Sequence, residues 1–352
     1  MNRFDYIRPA TVSEAVAAAA QSGSAYLAAG TNLLDLMKGG AARPELLIDI
    51  SRLPGLDQIE WLSDGSVRIG AMVRNSDLAY DTRFSRTFPF VAEALLSGAS
   101  AQLRNMATVA GNIMQRTRCA YFNDISSACN RRTPGSGCDA IEGENRLHAV
   151  LGWSRHCIAT HPSDFYVALA ALDAVAELHG PHGVREVSVN SLHLLPGTTP
   201  EQETVLLPGE LIVALRIPST SAVYSRNARY LKLRERTSYA FAVVSAAAAM
   251  EIDGETIKTA RIALGGIAAK PWRALEAEAS LKGMRPTVEA FAKAADVALA
   301  EARPSGDNAF KIELARRIVV RSLMLALEGS PDVMPALPGS LFSKRTGADR
   351  VA

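Results

Sequence analysis

The sequence predicts an α+β protein with two domains. The length of 352 residues fits two or three domains. The N-terminal part alternates short apolar strands with capped helices, whereas the C-terminal part has strands followed by amphipathic helices. A polar stretch at 218–227 is predicted to be the linker between them. We expect a first domain at 1–220, a second at 226–328 with helices on one face of a sheet, and a flexible tail or partner-binding arm at 329–352.

Composition excludes several classes of protein. The formal net charge of +2 gives no indication of binding to nucleic acid or to an anionic membrane. No apolar run reaches the roughly 18 residues of a membrane-spanning helix. The first residues lack the features of a signal peptide, so we expect a soluble chain with no export signal of its own. If it leaves the cytoplasm, a partner must carry that signal.

The N-terminal part begins with a predicted strand at 4–7 and a capping box, in which Glu14 reaches back to the Thr11 amide. A buried strand at 25–28 then leads through the small residues 29–32 directly into a helix. This geometry points backbone N–H groups and a helix dipole at an anion such as a diphosphate. An ordinary strand–helix turn remains the alternative.

A second glycine turn is predicted at 108–112, after strands at 46–50 and 67–71 and a helix at 88–100. Two such turns in one domain can clamp the single diphosphate of a dinucleotide from both sides. Ser163 and Asp164 then cap an apolar helix. The second domain is predicted to contain strands at 228–234, 240–250 and 261–265, and helices starting at 271, 288 and 308.

All four cysteines, Cys119, Cys129, Cys138 and Cys157, lie between Thr108 and Cys157, with gaps of 9, 8 and 18 residues. Two disulfides are one interpretation, but a chain that is 48% hydrophobic needs no such cross-links. Zinc is a second, but no paired C-x₂₋₄-C knuckle is present. A [4Fe–4S] cluster is a third, since spaced loop cysteines can supply its four thiolates and the neighbouring arginines would offset its negative charge. Spacing alone does not decide between them.

No catalytic motif is present: there is no nucleophile elbow, no triad order and no P-loop. None of the six histidines forms an i, i+4 metal pair. His156, beside Cys157, is a candidate partner for a cluster sulfur, but an ordinary loop histidine is the simpler interpretation.

Three motifs resemble one known family. They are Ala28-Ala29-Gly30-Thr31-Asn32-Leu33, Gln102-x-Arg104-Asn105-x-x-Thr108-x-x-Gly111-Asn112, and Ser163-Asp164 before an apolar helix. They are similar to the flavin subunits of the xanthine dehydrogenase, aldehyde oxidase and CO dehydrogenase molybdenum hydroxylases. The resemblance covers roughly residues 1–325. It implies a two-subdomain FAD-binding domain of the PCMH type, followed by a C-terminal domain like that of the CO dehydrogenase flavoprotein.

The resemblance assigns roles to particular residues. It implies an FAD site in which the first loop wraps the diphosphate and ribityl chain, the second loop closes on it, and Asp164 binds hydroxyls. Leu211 or Ile212 would line the ring pocket, and Lys232 would reach the flavin or its phosphates. The implied set is Tyr26, Leu27, Ala28, Ala29, Gly30, Thr31, Asn32, Leu33, Gln102, Thr108, Gly111, Asn112, Asp164, Leu211, Ile212 and Lys232.

The cysteine insertion at about 113–162 resembles a subgroup, the three-subunit bacterial aldehyde oxidoreductases of the periplasmic type. There it holds a [4Fe–4S] cluster, so the resemblance implies that Cys119, Cys129, Cys138 and Cys157 are the ligands. It further implies a heterotrimer with a large molybdenum-cofactor subunit and a small [2Fe–2S] subunit. Electrons from an aldehyde would reach FAD through the [2Fe–2S] clusters and leave to an external acceptor, with no acid or base needed in this chain.

Alternatives remain at this stage. The chain could be the flavin subunit of a related molybdenum hydroxylase, or of an enzyme like 4-hydroxybenzoyl-CoA reductase. It could also be a stand-alone flavin oxidase, or, in another class, a zinc-stabilised assembly or binding subunit. The resemblance favours a periplasmic location reached by co-export with a partner, with the cytoplasm as the alternative.

Overall fold

The computed structural model describes residues 1–331 and has an α+β fold, as the sequence predicts. Its strands in chain order are β1 (Asp5–Ile7), β2 (Ser24–Leu27), β3 (Leu46–Asp49), β4 (Ile59–Trp61), β5 (Val67–Gly70), β6 (Val175–Gly180), β7 (Gly183–Ser188), β8 (Leu211–Ile217), β9 (Ala228–Leu233), β10 (Val244–Asp253), β11 (Thr256–Gly265) and β12 (Trp272–Arg273). Of the arm predicted at 329–352, the part beyond residue 331 lies outside the described residues.

The helices connect and cover these strands. In chain order they are α1 (Val12–Ala18), α2 (Leu33–Gly39), α3 (Asn75–Tyr80), α4 (Thr82–Thr87), α5 (Pro89–Ser97), α6 (Ala101–Arg104), α7 (Val109–Ile113), α8 (Ala120–Asn123), α9 (Asp164–Ala171), α10 (Val189–Leu192), α11 (Leu275–Leu281), α12 (Val288–Ala298) and α13 (Phe310–Glu328). Among residues 1–331, no helix is both long and apolar enough to cross a lipid bilayer.

The N-terminal part contains two sheets. A parallel sheet has the order β1–β3–β2, and an antiparallel sheet has the order β4–β5–β8–β6–β7. The central strand β3 is fully buried, which explains its apolar sequence. The Thr11 hydroxyl caps α1 by accepting from the Glu14 amide at 3.1 Å. The Glu14 carboxylate accepts from the Ala10 amide at 2.8 Å. The capping-box prediction named the Thr11 amide as this donor and is therefore wrong by one residue.

The C-terminal part contains an antiparallel sheet of order β12–β11–β10–β9. One face of β10, represented by Ala246 and Ala248, packs in a core with α11, α12 and α13. The other face, represented by Ala247 and Ala249, packs with α5 and α9 of the N-terminal part. Burial on both faces explains the run of small residues in β10, because close packing of two layers leaves little room there.

The stretch at 218–227, predicted as the linker, has regular structure. The predicted linker contains a 3₁₀ helix at Ser219–Arg226, in which Ser221 and Tyr224 are buried. The Ser221 hydroxyl donates to the Leu172 carbonyl at 3.0 Å, and the Tyr224 and Thr259 hydroxyls lie 2.9 Å apart. These buried hydrogen bonds fix the connection in place, so it is an ordered segment between the two parts of the chain.

The segment predicted to start a helix at 271 begins with β12 instead. Leu264 of β11 pairs with Trp272, and the helix begins only at Leu275.

The segment predicted as the second glycine turn, 108–112, is helical instead of a turn. Thr108 caps the short helix α7, and Ala110 lies within that helix. The Gly111 amide donates to the Thr108 hydroxyl at 3.3 Å.

Candidate functional site

A cavity of about 800 Å³ opens between the N-terminal helices and the C-terminal sheet. This volume is in the usual range for cofactor and ligand sites. Its wall combines residues of both predicted glycine loops with the start of α9, β9 and the loop after β9. Of the residues that the resemblance assigns to FAD, those lining it are Thr31, Asn32, Gly111, Asn112, Asp164 and Lys232.

An asparagine side chain in each of the two loops forms a hydrogen bond that holds its loop in place. The Asn32 side-chain oxygen accepts from the Arg116 amide at 2.9 Å, which ties the first loop to the chain that follows α7. The Asn112 side-chain oxygen accepts from the Ser163 hydroxyl at 2.7 Å, which ties the second loop to the start of α9. Loops far apart in sequence are therefore held in fixed positions at one wall, as a preformed ligand site requires.

Gly30 is required by the backbone of the first loop. Its φ of +74° lies in the left-handed region, and a Cβ added there would meet the Leu34 side chain at 2.6 Å. Ala29, the residue before it, has no positive φ. The loop therefore needs its single glycine at position 30 and tolerates alanine before it.

Asp164 is the most fully engaged polar residue of the wall. Its carboxylate accepts from the Lys232 ammonium at 2.7 Å and from the Tyr230 hydroxyl at 2.6 Å. The Lys232 ammonium also donates to the Ser97 carbonyl at 3.1 Å. A carboxylate has about four lone-pair positions, so Asp164 keeps acceptor capacity for ligand hydroxyls.

The wall also contains charged residues to which the resemblance assigns no role, Arg118 and Arg104. Burial lowers the pKa of Arg118, and its guanidinium lies over the Phe241 ring at 5.1 Å. Burial likewise lowers the pKa of Arg104. No motif indicated the contact of Arg118 with Phe241, because it joins the N-terminal part to a loop more than a hundred residues later.

The four cysteines converge beside this cavity as free thiols. Cys129 and Cys138 pair across an antiparallel bridge, and Cys157 pairs with Ser154 in another. Burial raises the pKa of the Cys119 thiol to about 12, and the neighbouring Cys157 and Cys129 act in the same direction. Burial also raises the pKa of Cys138, again with Cys157 and Cys129 as neighbours. Cys119 also lines the cavity, so the two sites share a wall.

A buried ion network stands beside the thiols. Arg131 lies 3.1 Å from the Glu203 carboxylate and next to the Cys157 thiol. Burial alone would raise the pKa of Glu203, but Arg131 and Arg116 outweigh it and keep that pKa below its usual value. The Arg131 Nε is buried and has no hydrogen-bond partner among residues 1–331. The cationic surroundings predicted from the sequence are thus present at Cys157.

The histidine that contacts a thiol is His148, whose Nε2 lies 3.2 Å from the Cys119 sulfur. His156, the candidate that the sequence offered beside Cys157, is exposed, in agreement with its simpler interpretation as an ordinary loop histidine. His148 is 29 residues from Cys119, and no spacing rule connects them. Among the residues that the structure describes, no three His, Cys, Asp or Glu side chains are placed to hold one metal ion.

Comparison with known proteins assigns the family. The family described as the FAD binding domain in molybdopterin dehydrogenase matches residues 2–220, and the CO dehydrogenase flavoprotein C-terminal domain matches residues 229–326. The chain is an FAD-binding subunit of the xanthine dehydrogenase family. It is thus the flavin-carrying part of a molybdenum-dependent oxidoreductase, as the resemblance implies.

Individual relatives of this family agree. The chain is 48% identical over 325 residues to the aldehyde oxidoreductase FAD-binding subunit PaoB of Escherichia coli, with 92% of this chain and 98% of the relative covered. It is 32% identical to the carbon monoxide dehydrogenase medium chain of Hydrogenophaga pseudoflava, with 92% and 97% covered. A solved carbon monoxide dehydrogenase from Hydrogenophaga pseudoflava matches with a TM-score of 0.73 and 31% identity, covering 93% of this chain and 98% of that chain.

The cavity fits the FAD that this family carries. Within residues 1–331, its wall holds three buried side-chain atoms without a hydrogen-bond partner, the Asn75 Oδ1, the His148 Nδ1 and the Ser245 Oγ. Buried polar atoms normally have partners, so all three indicate that a polar ligand completes the site. Lys232, Arg118 and Arg104 provide positive charge suited to a diphosphate.

The structure places the other residues that the resemblance assigns to FAD away from this wall. Gln102 is exposed on α6, where the helical turn presents Leu103 and Arg104 to the cavity instead. Leu211 and Ile212 lie in β8, at the centre of the five-stranded sheet, and pack in two different hydrophobic cores. The remainder precede or follow the lining residues in their loops, and are Tyr26, Leu27, Ala28, Ala29, Gly30, Leu33 and Thr108. The contacts of all the residues in this paragraph with FAD stay predictions.

Proposed function

We propose that this chain is the FAD- and [4Fe–4S]-binding electron-transfer subunit of a molybdenum-dependent aldehyde oxidoreductase, which converts an aldehyde to a carboxylate. The proposal depends most on one observation. The four cysteines form no disulfide bonds, and one of them, Cys119, also lines the FAD cavity. The relative named as an aldehyde oxidoreductase subunit supports the substrate class, since its 48% identity extends over 98% of its length.

On the FAD side, the cofactor supplies the redox chemistry and the chain supplies binding and orientation. Backbone amides of the two loops, with Lys232 and Arg118, are suited to bind the diphosphate. The Asp164 carboxylate is suited to accept from hydroxyls. No side chain is required as a general acid or base, in agreement with the absence of a catalytic motif from the sequence.

On the cysteine side, the donor set favours an iron–sulfur cluster. Four thiols are soft ligands, suited to zinc or iron–sulfur clusters. Zinc holds its thiolates about 2.3 Å from one ion, and no three described side chains have such a placement. A [4Fe–4S] cluster binds each of its four thiolates through a different iron, so these thiolates lie farther apart than four thiolates on one zinc ion. The buried Arg131 beside Cys157 would offset the negative charge of the cluster.

The same proposal includes partners and a location. A large molybdenum-cofactor subunit and a small [2Fe–2S] subunit would complete a heterotrimer, and an external acceptor would take electrons from the FAD. This arrangement is supported by relatives named as the medium chain of carbon monoxide dehydrogenase. We further propose a periplasmic complex, exported through a signal on a partner subunit.

The test is anaerobic addition of aldehyde to the complex purified with its partners. Flavin absorption should bleach in the complex and persist in the isolated chain, because the aldehyde reacts at another subunit. Bleaching of the isolated chain by a small substrate would favour a stand-alone flavin oxidase. A colourless, flavin-free preparation containing zinc would favour an assembly subunit.

A further inference from the structure

His148 stands between the cysteine group and the FAD cavity. Its Nε2 lies 3.2 Å from the Cys119 sulfur, and its ring forms part of the cavity wall. The residue is only 8% exposed. An imidazole nitrogen donates a hydrogen bond where it carries hydrogen and accepts one where it does not.

The chemistry of a ligating thiolate decides which nitrogen carries the proton. Cys119 as a cluster ligand has no proton and can only accept a hydrogen bond. The hydrogen of this contact must then be on Nε2, which donates it to the sulfur. The Nδ1 atom is buried and has no partner among the described residues. It is thus available to water or to a polar group in the cavity.

The ring is held in position by the C-terminal part of the chain. The His148 carbonyl accepts from the Lys311 ammonium at 2.8 Å and from the Asn308 amide at 3.2 Å. Lys311 is fully buried and also donates to the Leu147 and Gly266 carbonyls. This clamp fixes the backbone at His148, so its contact with Cys119 does not depend on a mobile loop.

We propose that His148 is a positioning residue that raises the reduction potential of the [4Fe–4S] cluster by donating a hydrogen bond to the Cys119 thiolate. The inference depends on the function proposed above. A hydrogen bond to a ligating sulfur withdraws negative charge and stabilises the reduced, more negative cluster. No second histidine takes this position within residues 1–331, since His156 is exposed.

The first experiment is a redox titration of the cluster monitored by EPR, with iron and sulfide content measured on each variant. His148→Leu removes the donor, and we expect a lower midpoint potential with unchanged iron content. His148→Gln places an amide N–H near the same point and should restore most of the potential. His156→Gln, in the same segment but away from the sulfurs, is the matched control and should leave the potential unchanged. An unchanged potential in an iron-replete His148→Leu protein would overturn the proposal.

A second measurement needs no variant and so covers the case in which His148→Leu does not fold. In the intact protein labelled with ¹⁵N-histidine, hyperfine spectroscopy of the reduced cluster should detect one weakly coupled imidazole nitrogen. Its absence would contradict the hydrogen bond. Failure of the proposed function is distinguishable, because a protein without iron would give no cluster signal at all.

Discussion

Lys232 and Asp164 form an ion pair, with 2.7 Å between Nζ and Oδ2, that joins β9 to the start of α9 at the cavity wall. Their side chains are 3% and 7% exposed. A charge buried this deeply needs its partner, because the protein interior solvates it poorly. The pair therefore contributes to the FAD site and also connects the two parts of the chain.

Lys232→Met should leave the Asp164 carboxylate buried with only Tyr230 as a side-chain partner. We expect a loss of about 3–5 kcal/mol in the free energy of unfolding, together with weaker FAD binding. Urea unfolding and flavin titration measure the two effects. Lys258→Met breaks a surface pair with Glu251 and is the control, which should change neither quantity appreciably. Equal small effects of the two substitutions would contradict the account.

Gly30→Ala tests the first loop. The substitution forces a side chain into the left-handed region at φ +74° and against Leu34, so we expect a loss of stability of about 1–2 kcal/mol and reduced FAD affinity. Gly55→Ala is a matched control, with a φ of +76° and nothing within 4 Å of the added Cβ. The control should show the backbone strain alone and leave FAD binding intact. Weaker FAD binding in both variants would refute a specific role of this loop.

The pH dependence of stability should include a contribution from His193. Burial lowers its pKa from 6.5 to about 4, in opposition to the nearby Glu203. Between those values the unfolded chain binds a proton that the folded protein excludes, so stability falls as the pH decreases from 6.5 towards 4. The shift corresponds to a loss on the order of 3 kcal/mol.

His193→Asn is the variant for this test. Asparagine can keep a donor near Tyr166, whose hydroxyl lies 3.0 Å from the His193 Nδ1, but it does not titrate. Chemical denaturation at several pH values should show a smaller decrease between pH 6.5 and pH 4 than in the parent protein. The same slope in both proteins would show that His193 is not responsible.

Much of this architecture could be predicted from local sequence. The strand and helix patterns identified most of the strands, and the predicted caps at Thr11 and Ser163 act through side chains close in sequence. Six of the residues that the resemblance assigns to FAD line one cavity in the structure. The conformation of the 218–227 connection could not be predicted, because its order comes from tertiary hydrogen bonds such as Ser221 to Leu172.

The site residues missed by the sequence have a similar cause. His148 approaches Cys119 across 29 residues of irregular chain, and Arg118 meets Phe241 from the opposite part of the protein. Gln102 was included because it belongs to the motif, but a motif does not tell which side of a short helix faces the ligand. Such contacts depend on packing between distant segments, which local patterns do not encode.

Cys119→Ser should remove the iron while most of the flavin is retained, since the FAD cavity depends mainly on other loops. Cys119 does form part of that wall, so some loss of flavin affinity is compatible with the account. Cys138→Ser is the cleaner comparison, because Cys138 does not line the cavity. We expect it to lose iron with the flavin content unchanged. Iron and flavin counting provides the measurement, and full iron content in both variants would refute the assignment of the ligands.

The most direct test of the central claim is a quantitative metal, sulfide and flavin analysis of this chain after it is separated from its native complex under anaerobic conditions. The account predicts one FAD, four irons and four sulfides per chain, without zinc. A chain with FAD but with zinc or no metal at the cysteines would contradict it.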